Sequence, residues 1–199
     1  MLNKPLLAFA IAVFCLGCEP QGTKATDTQA SPKALMSGLS AAAKAGDWGT
    51  YYDLLEPKLR GKVAYQRVGS VVVDALTARA PRKEKARSLT DELGIDLDSL
   101  PKLTADRAVR RKALLAQLPD LRVPYIKSMK LWEARSDPRF TPRKLLDPGR
   151  VVSVSNQGAD RAEVKTSHAG GSDKKESSWT LTLVRLNNKW LVEKCTYIN

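Results

Sequence analysis

The spacing of apolar residues changes once along this chain, near Arg150, and this change constrains the fold more than any other feature. Before it, large apolar residues recur at the i, i+3, i+4 spacing of amphipathic helices. After it, apolar residues occupy every second position, which is typical of antiparallel strands with one buried face. Helices followed by strands predict an α+β fold, with the helices packed on a C-terminal antiparallel sheet of about four strands.

Capping residues divide the helical part of the chain. Ser31 before Pro32 predicts a helix start, because serine caps helix N-termini and proline suits the first helical position. Gly46 predicts the end of this helix, whereas Asp47 and Thr104 predict caps of later ones. The expected helices cover 32–45, 48–55, 57–76, 82–93, 105–117 and 124–134, and 136–149 is expected to be a connection to the strands.

The strand region carries its own turn signal. Asn187 and Asn188 separate two alternating runs and suit a type I′ turn, because asparagine tolerates positive φ. The alternation predicts that one face of every strand is half-buried. The residues that alternate are Val152 and Val154, then Ala162, Val164 and Thr166, then Trp179, Leu181 and Leu183, then Trp190 and Val192.

The N-terminus resembles a bacterial lipoprotein signal. Lys4 precedes an uncharged run from Pro5 to Gly17, which is shorter than the roughly 20 residues that a spanning helix needs. The tripeptide at 16–18, Leu-Gly-Cys, resembles a lipobox, in which the cysteine sulfur receives diacylglycerol. It departs from the usual pattern because Cys15 stands where leucine is common, three residues before Cys18.

This signal sets the expected organisation and location. We expect 1–17 to be a cleaved signal peptide, and 18–30 to hold the lipidated Cys18 and a flexible linker. Two or three acyl chains anchor a protein stably, so the expected location is the periplasmic or external face of a bacterial membrane. Glu19 after the cysteine, rather than aspartate, favours the outer membrane.

The rest of the chain, 31–199, is expected to form one α+β domain, with a basic helical segment at 57–148 and strands at 150–199. Between Lys58 and Arg150 there are 22 Lys/Arg and 11 Asp/Glu, so this stretch carries +11 of the formal net charge of +12. Such an excess indicates anionic partners. Anionic lipid or cell-wall polymer fits an exported protein, whereas nucleic acid is not expected.

Few residues have the pattern of a catalytic or metal site. His168 is the only histidine, which excludes histidine dyads and multi-histidine metal sites within one chain. Cys195, the one thiol left after export and lipidation, is expected to be buried and inert. Asp47 and Asp53 are candidate general bases, although Asp47 also suits a helix cap. We therefore assign no catalytic residue, metal or cofactor; the pair Asp96–Asp98 is interpreted as a turn.

Two groups of residues are candidates for binding. Six aromatic residues at core-like spacings could line a pocket: Trp48, Tyr51, Tyr52, Trp132, Trp179 and Trp190. Three arginines at i, i+3, i+4 form a stripe that could contact anions, and alanines are expected on the opposite face of that helix. The stripe consists of Arg107, Arg110 and Arg111, and the alanines are Ala105, Ala108, Ala113 and Ala116.

Two segments resemble the nuclear-transport-factor-2-like superfamily. SGLSAAAKAGDWGTYYDLL, at 37–55, is similar to its opening helices, and GADRAEVKTS with WTLTLVRLNNKWLVEKC is similar to its closing strands. The resemblance implies a cone-shaped domain of helices and a curved sheet enclosing a pocket, with the long helical stretch between the segments as an extra layer. It also implies isomerases and dehydratases, or non-catalytic exported domains, as possible functions.

These observations predict a membrane-anchored lipoprotein whose domain binds or scaffolds without catalysis. One alternative is a small-pocket enzyme of the isomerase or dehydratase type. The second alternative is a basic module that contacts anionic envelope polymers or lipid head groups. An ionisable residue inside a cavity, with polar groups converging on it, would favour the enzyme.

Overall fold

The computed structural model describes residues 27–136, 141–168 and 177–198. Within these ranges the chain forms seven helices followed by a four-stranded antiparallel sheet, which is the α+β fold that the change of period predicts. The helices are α1 (Pro32–Ala45), α2 (Trp48–Asp53), α3 (Pro57–Thr77), α4 (Arg82–Glu92), α5 (Arg107–Ala116), α6 (Arg122–Arg135) and α7 (Pro142–Leu146). The strands are β1 (Arg150–Asn156), β2 (Arg161–His168), β3 (Ser177–Leu186) and β4 (Lys189–Ile198).

The predicted caps of the first two helices are confirmed. The Ser31 hydroxyl accepts a hydrogen bond from the Ala34 N–H at 3.1 Å, which satisfies one of the free donors at the start of α1. Gly46 ends α1 with a φ of 69°, in the left-handed region that favours glycine. The Asp47 carboxylate accepts from the Thr50 N–H at 3.0 Å and so caps α2.

The cap predicted for α5 is wrong. The helix begins at Arg107, and Asp106 rather than Thr104 caps it, accepting from the Ala108 N–H at 2.6 Å. Both side chains are capping types, but the carboxylate of Asp106 stands directly before the first turn and is also favoured by the helix dipole.

Two boundaries after α5 also differ from the prediction. Helix α6 begins at Arg122, so Pro124 lies inside its first turn, where a missing N–H has no intrahelical partner to lose. The expected connection at 136–149 contains α7, a helix of five residues. Its start at Pro142 after Thr141 is a helix-start signal that the density of prolines and glycines obscures.

The sheet is a meander in the order β1-β2-β3-β4. The predicted turn between β3 and β4 is confirmed, since Asn187 and Asn188 have φ values of 50° and 63°. The edge of β4 is covered by earlier parts of the chain. The Trp190 N–H donates to the Gln29 carbonyl at 3.0 Å, and the Val192 N–H donates to the Leu54 carbonyl at 3.0 Å.

At the other edge, β1 contradicts the predicted half-burial. Val152 and Val154 are 66% and 42% exposed. A register shift between Val151 and Ser153 interrupts the β1–β2 pairing, and Val151 is the residue that packs against the core. A bulge of this kind changes which side chains point toward the core. The alternation in the sequence therefore does not predict which valine is buried.

The core joins the first helices to the sheet. Side chains of α1, including Leu35 and Leu39, pack with Val164, Leu181 and Leu183 of the central strands, all nearly inaccessible to solvent. Three further apolar clusters hold the helices to one another around α3. Among the described helices, none combines the length and apolar character that crossing a bilayer requires.

The segment before α1 is also packed on the domain. Gly38 of α1 faces Thr28, and a Cβ added at Gly38 would lie 2.8 Å from the Thr28 Cβ. Residues 27–30, placed at the end of the expected linker, therefore lie against the body of the protein, and Gly38 is the residue that permits this close approach.

Candidate functional site

A recess of about 690 Å³, here named the sheet cleft, lies between α3 and the sheet. Tyr51 of α2 and Val63 and Arg67 of α3 line one side, and Trp179 and Cys195 of the sheet line the other. The cleft exists because the helical layer covers only part of β4: Trp190 and Val192 are buried, whereas 194–196 are exposed.

Two tyrosines lie at the inner side of the sheet cleft. The Tyr51 hydroxyl donates to the Leu146 carbonyl at 3.3 Å. Burial raises the pKa of Tyr51 and of Tyr125 well above the usual value, because water that would solvate a phenolate is excluded. Both phenols therefore remain protonated at neutral pH.

The expectation that Cys195 is buried is wrong. Its side chain is exposed and lines the sheet cleft, on the half of β4 that the helices leave uncovered. The surrounding protein nevertheless removes much of the solvent around the sulfur and raises the pKa of the thiol to about 12. At neutral pH the group is a protonated thiol and thus a poor nucleophile.

The carboxylates that line the sheet cleft have structural partners. Glu56 caps α3 by accepting from the Lys58 and Leu59 N–H groups at 3.0 and 3.3 Å. Glu193 of β4 forms an ion pair with Arg161 of β2, across the intervening strand β3. Each carboxylate of the cleft is therefore explained by a helix cap or an ion pair.

The two aspartates considered as general bases lie outside the cleft. Asp47 is exposed, and the Thr50 hydroxyl and N–H lower its pKa by donating to the carboxylate. Asp53 forms an ion pair with Arg122 at 2.8 Å, with both side chains about half exposed. Each carboxylate is therefore explained by a cap or a surface ion pair.

The six aromatic candidates separate into two sets. Tyr51 and Trp179 line the sheet cleft, and Trp132 lines a second pocket described below. The other three pack in the core. Trp48 is 1% exposed and donates to Glu133 at 3.0 Å, Tyr52 packs on Tyr125 with ring centroids 5.0 Å apart, and Trp190 is buried against the sheet.

The second recess, the α3–α6 pocket, has a volume of about 350 Å³ and a polar lining. Asp74 is 6% exposed and is held by Arg82 and Arg135, each at 2.6 Å. Arg67 lies over the Trp132 ring, with its Cζ 3.8 Å from the ring centroid. The sequence pattern alone does not predict this pocket, although Asp74 directly follows the Val71–Val73 run and would be expected on or near an apolar helix face.

The third recess, the α3–α5 groove, contains the arginine stripe. Arg107 and Arg110 line an apolar groove of about 250 Å³ together with Leu114, and Arg111 lies over the Tyr65 ring at 5.8 Å. Ala108 and Ala116 are exposed, and Leu114 is the buried residue of α5. Leu114 follows Arg110 by four positions, so leucine and arginines share the face that meets α3.

The pair Asp96–Asp98 forms a local turn, in which the Asp96 carboxylate accepts from the Asp98 and Ser99 N–H groups at 3.0 and 3.4 Å. Within the described ranges, no three potential metal-binding side chains come together. The predictions for the signal at 1–17, for Cys18 and for the His168 side chain lie outside what the structure describes.

The chain matches no protein-family model, no curated protein and no solved structure. The resemblance to the nuclear-transport-factor-2-like superfamily therefore stays a prediction.

Proposed function

We propose that the protein is an exported lipoprotein, anchored through Cys18, whose domain binds an amphipathic anion in the sheet cleft without transforming it. The lipobox-like sequence at 16–18, behind a short apolar run, supports this location. The sheet cleft supports the binding role.

The composition of the cleft defines the ligand class. Its inner wall is apolar, with leucine, valine and tryptophan side chains from α3 and the sheet. Four cationic side chains also line it: Lys58, Lys62, Arg67 and Lys194. Glu193 is paired with Arg161, and Glu56 leaves one negative charge against these four positive ones, so the net charge of the lining is positive. An apolar body with an acidic head group matches both parts of this lining.

The state of the ionisable groups in the sheet cleft supports binding rather than catalysis there. In the α3–α6 pocket, the carboxylate of Asp74 is held by two arginines. The thiol and the phenols of the cleft are protonated at neutral pH, and its carboxylates serve a cap and an ion pair. A general base or an activated nucleophile needs the opposite arrangement.

The anchor is tested by Cys18→Ser. We expect this change to abolish incorporation of labelled fatty acid and to leave unprocessed precursor. Labelled mutant protein, or a mature chain that begins elsewhere than Cys18, would contradict the anchor.

The cleft is tested by titration with anilinonaphthalene sulfonate, a fluorescent amphipathic anion. We expect the double variant Lys58→Glu/Lys62→Glu to raise the Kd about tenfold or more, because both side chains line the cleft. The matched control is Lys85→Glu/Lys112→Glu, which makes the same change in net charge at two exposed positions outside the cleft. If both variants lose affinity equally, the effect comes from net charge, and binding in the cleft is contradicted.

A second candidate function is contact with anionic phospholipid through the α3–α5 groove. The observation that favours it is the placement of Arg107 and Arg110 on an apolar groove, with Arg111 stacked beside them. Guanidinium groups bind phosphate, and the groove offers apolar surface to the adjoining part of a lipid.

A further inference from the structure

The α3–α6 pocket contains a buried hydroxyl with no partner. Ser128 is 2% exposed and lines the pocket, and within the part of the chain described here its Oγ makes no hydrogen bond. Buried polar groups are nearly always hydrogen-bonded, and an orphan hydroxyl weakens the fold unless something else satisfies it. Ser128 is therefore evidence of a missing polar ligand.

Arg67, in the same pocket, is a cation without a carboxylate partner among the described residues. Stacking on Trp132 fixes the guanidinium plane and leaves the N–H groups at its edge available to an acceptor. Partial burial lowers the pKa of Arg67 by desolvation, but an arginine stays charged at neutral pH. An anion in the pocket would compensate this partly desolvated charge.

The remaining charges of the pocket favour an anion as well. Asp74 supplies one carboxylate, which Arg82 and Arg135 hold at 2.6 Å each. With Arg67, the described residues of the pocket supply three guanidinium groups and one carboxylate, an excess of two positive charges. Arg135 is only 16% exposed, so solvent screens its charge weakly.

We propose that the α3–α6 pocket binds a phosphate group, with Arg67, Arg135 and the Ser128 hydroxyl as donors to its oxygens. A phosphate dianion balances the excess of two charges, and its tetrahedral oxygens accept donors arriving from both α3 and α6. The volume of about 350 Å³ leaves room for the water or the small molecule that accompanies the group. This site is separate from the sheet cleft, and the Arg67 side chain is the one described residue that lines both.

The test uses inorganic phosphate as the probe and the full chain in detergent. Thermal unfolding is measured from 0 to about 20 mM phosphate, with ionic strength held constant by sodium chloride so that screening does not change. We expect a saturable rise of several degrees in Tm for the wild type, because a ligand that binds only the folded state stabilises it. Broadening of the phosphorus-31 resonance reports binding independently of stability.

Ser128→Ala separates this proposal from a merely structural role. Without phosphate, the variant should melt at the same temperature as the wild type or higher, because the orphan hydroxyl is gone. With phosphate, its rise in Tm should be largely lost. Arg67→Lys keeps the charge but not the fork of donors and should weaken binding about tenfold. The control Arg185→Gln, at an exposed arginine that lines none of the three recesses, should respond to phosphate as the wild type does.

A Tm rise in Ser128→Ala equal to that of the wild type, or no saturable rise at all, would overturn the proposal. Binding to vesicles of phosphatidylglycerol distinguishes a lipid head group from a soluble phosphate. In residues 18–199 carrying Cys18→Ser, which lack the acyl chains, about 20 mM phosphate should release the protein from the vesicles and Ser128→Ala should weaken binding if the bound group is a lipid head group. If it is a soluble phosphate, vesicle binding should not respond to either change.

Discussion

At the scale of single residues, the turn between β3 and β4 gives a direct test of backbone strain. Asn188 has a φ of 63°, which glycine adopts freely and a β-branched residue adopts at a cost. We expect Asn188→Gly to be neutral or slightly stabilising and Asn188→Val to lower the free energy of unfolding by roughly 1 kcal/mol or more. Chemical denaturation measures both, and equal stability of wild type and the valine variant would argue against the turn.

Cys195 combines an exposed side chain with a pKa of about 12. In a chain carrying Cys15→Ser and Cys18→Ser, we expect iodoacetamide to alkylate it at pH 8 about 100-fold more slowly than in the urea-unfolded protein, because little thiolate is present in the folded state. Mass spectrometry follows the reaction. Similar rates for folded and unfolded chains would show that the cleft does not suppress ionisation.

At the scale of elements, the arginine stripe of α5 tests the lipid-binding candidate. In residues 18–199 carrying Cys18→Ser, which lack the acyl chains, we expect the triple change to glutamate at Arg107, Arg110 and Arg111 to weaken co-sedimentation with anionic vesicles. Without the triple change, binding should fade as salt rises beyond about 0.1–0.15 M. The control places glutamate at Lys85, Lys102 and Lys112, three exposed lysines outside the groove. An equal effect of the two triple variants would leave only non-specific charge attraction.

The same helix shows how far the sequence predicts the candidate sites. The stripe and the helix were predictable from spacing, but its orientation was not, because small alanines and long arginines can each face a neighbour. Leu114 settles the orientation only once its contact with α3 is known. Likewise, the spacing of Tyr125, Ser128, Met129 and Trp132 places Ser128 on the buried face of α6, yet only the structure shows that its hydroxyl lacks a partner.

The order of elements was easier to predict than the burial of β1. Caps at Ser31 and Asp47 and the turn at Asn187 act through local hydrogen bonds and φ preferences, which the sequence carries directly. The exposure of Val152 depends on a register shift between two strands, a non-local property that no run of apolar residues encodes. Local rules therefore predicted the architecture. The recesses between elements could not be predicted in this way, because they depend on how the elements pack.

At the scale of the whole molecule, the buried phenols make stability depend on alkaline pH. Tyr125 is 2% exposed, and burial raises its pKa above the ordinary value near 10. Above about pH 10 the unfolded chain loses this proton while the folded chain keeps it, so the folded state binds more protons and stability falls as pH rises. The loss is at most about 1.4 kcal/mol per pH unit for each such group.

We therefore expect the free energy of unfolding in urea to fall between pH 8 and pH 11. The fall should be about 1 kcal/mol smaller for Tyr125→Phe than for the wild type. The matched control is Tyr65→Phe, on a side chain that lines the α3–α5 groove. If both tyrosine variants lose stability as the wild type does, the buried phenol is not the source of the pH dependence.

The attachment of Gln29 to β4 has a mechanical consequence. If Cys18 is fixed in a membrane, only residues 19–28 separate the anchor from Gln29, and ten residues reach at most about 35 Å. Any pull on that tether first meets the contact between Thr28 and Gly38 of α1. It then meets Gln29, whose carbonyl accepts from the Trp190 N–H and whose side-chain amide donates to the Trp190 carbonyl. Force would thus load the first helix and the last strand of the sheet together, which couples the two ends of the chain under tension.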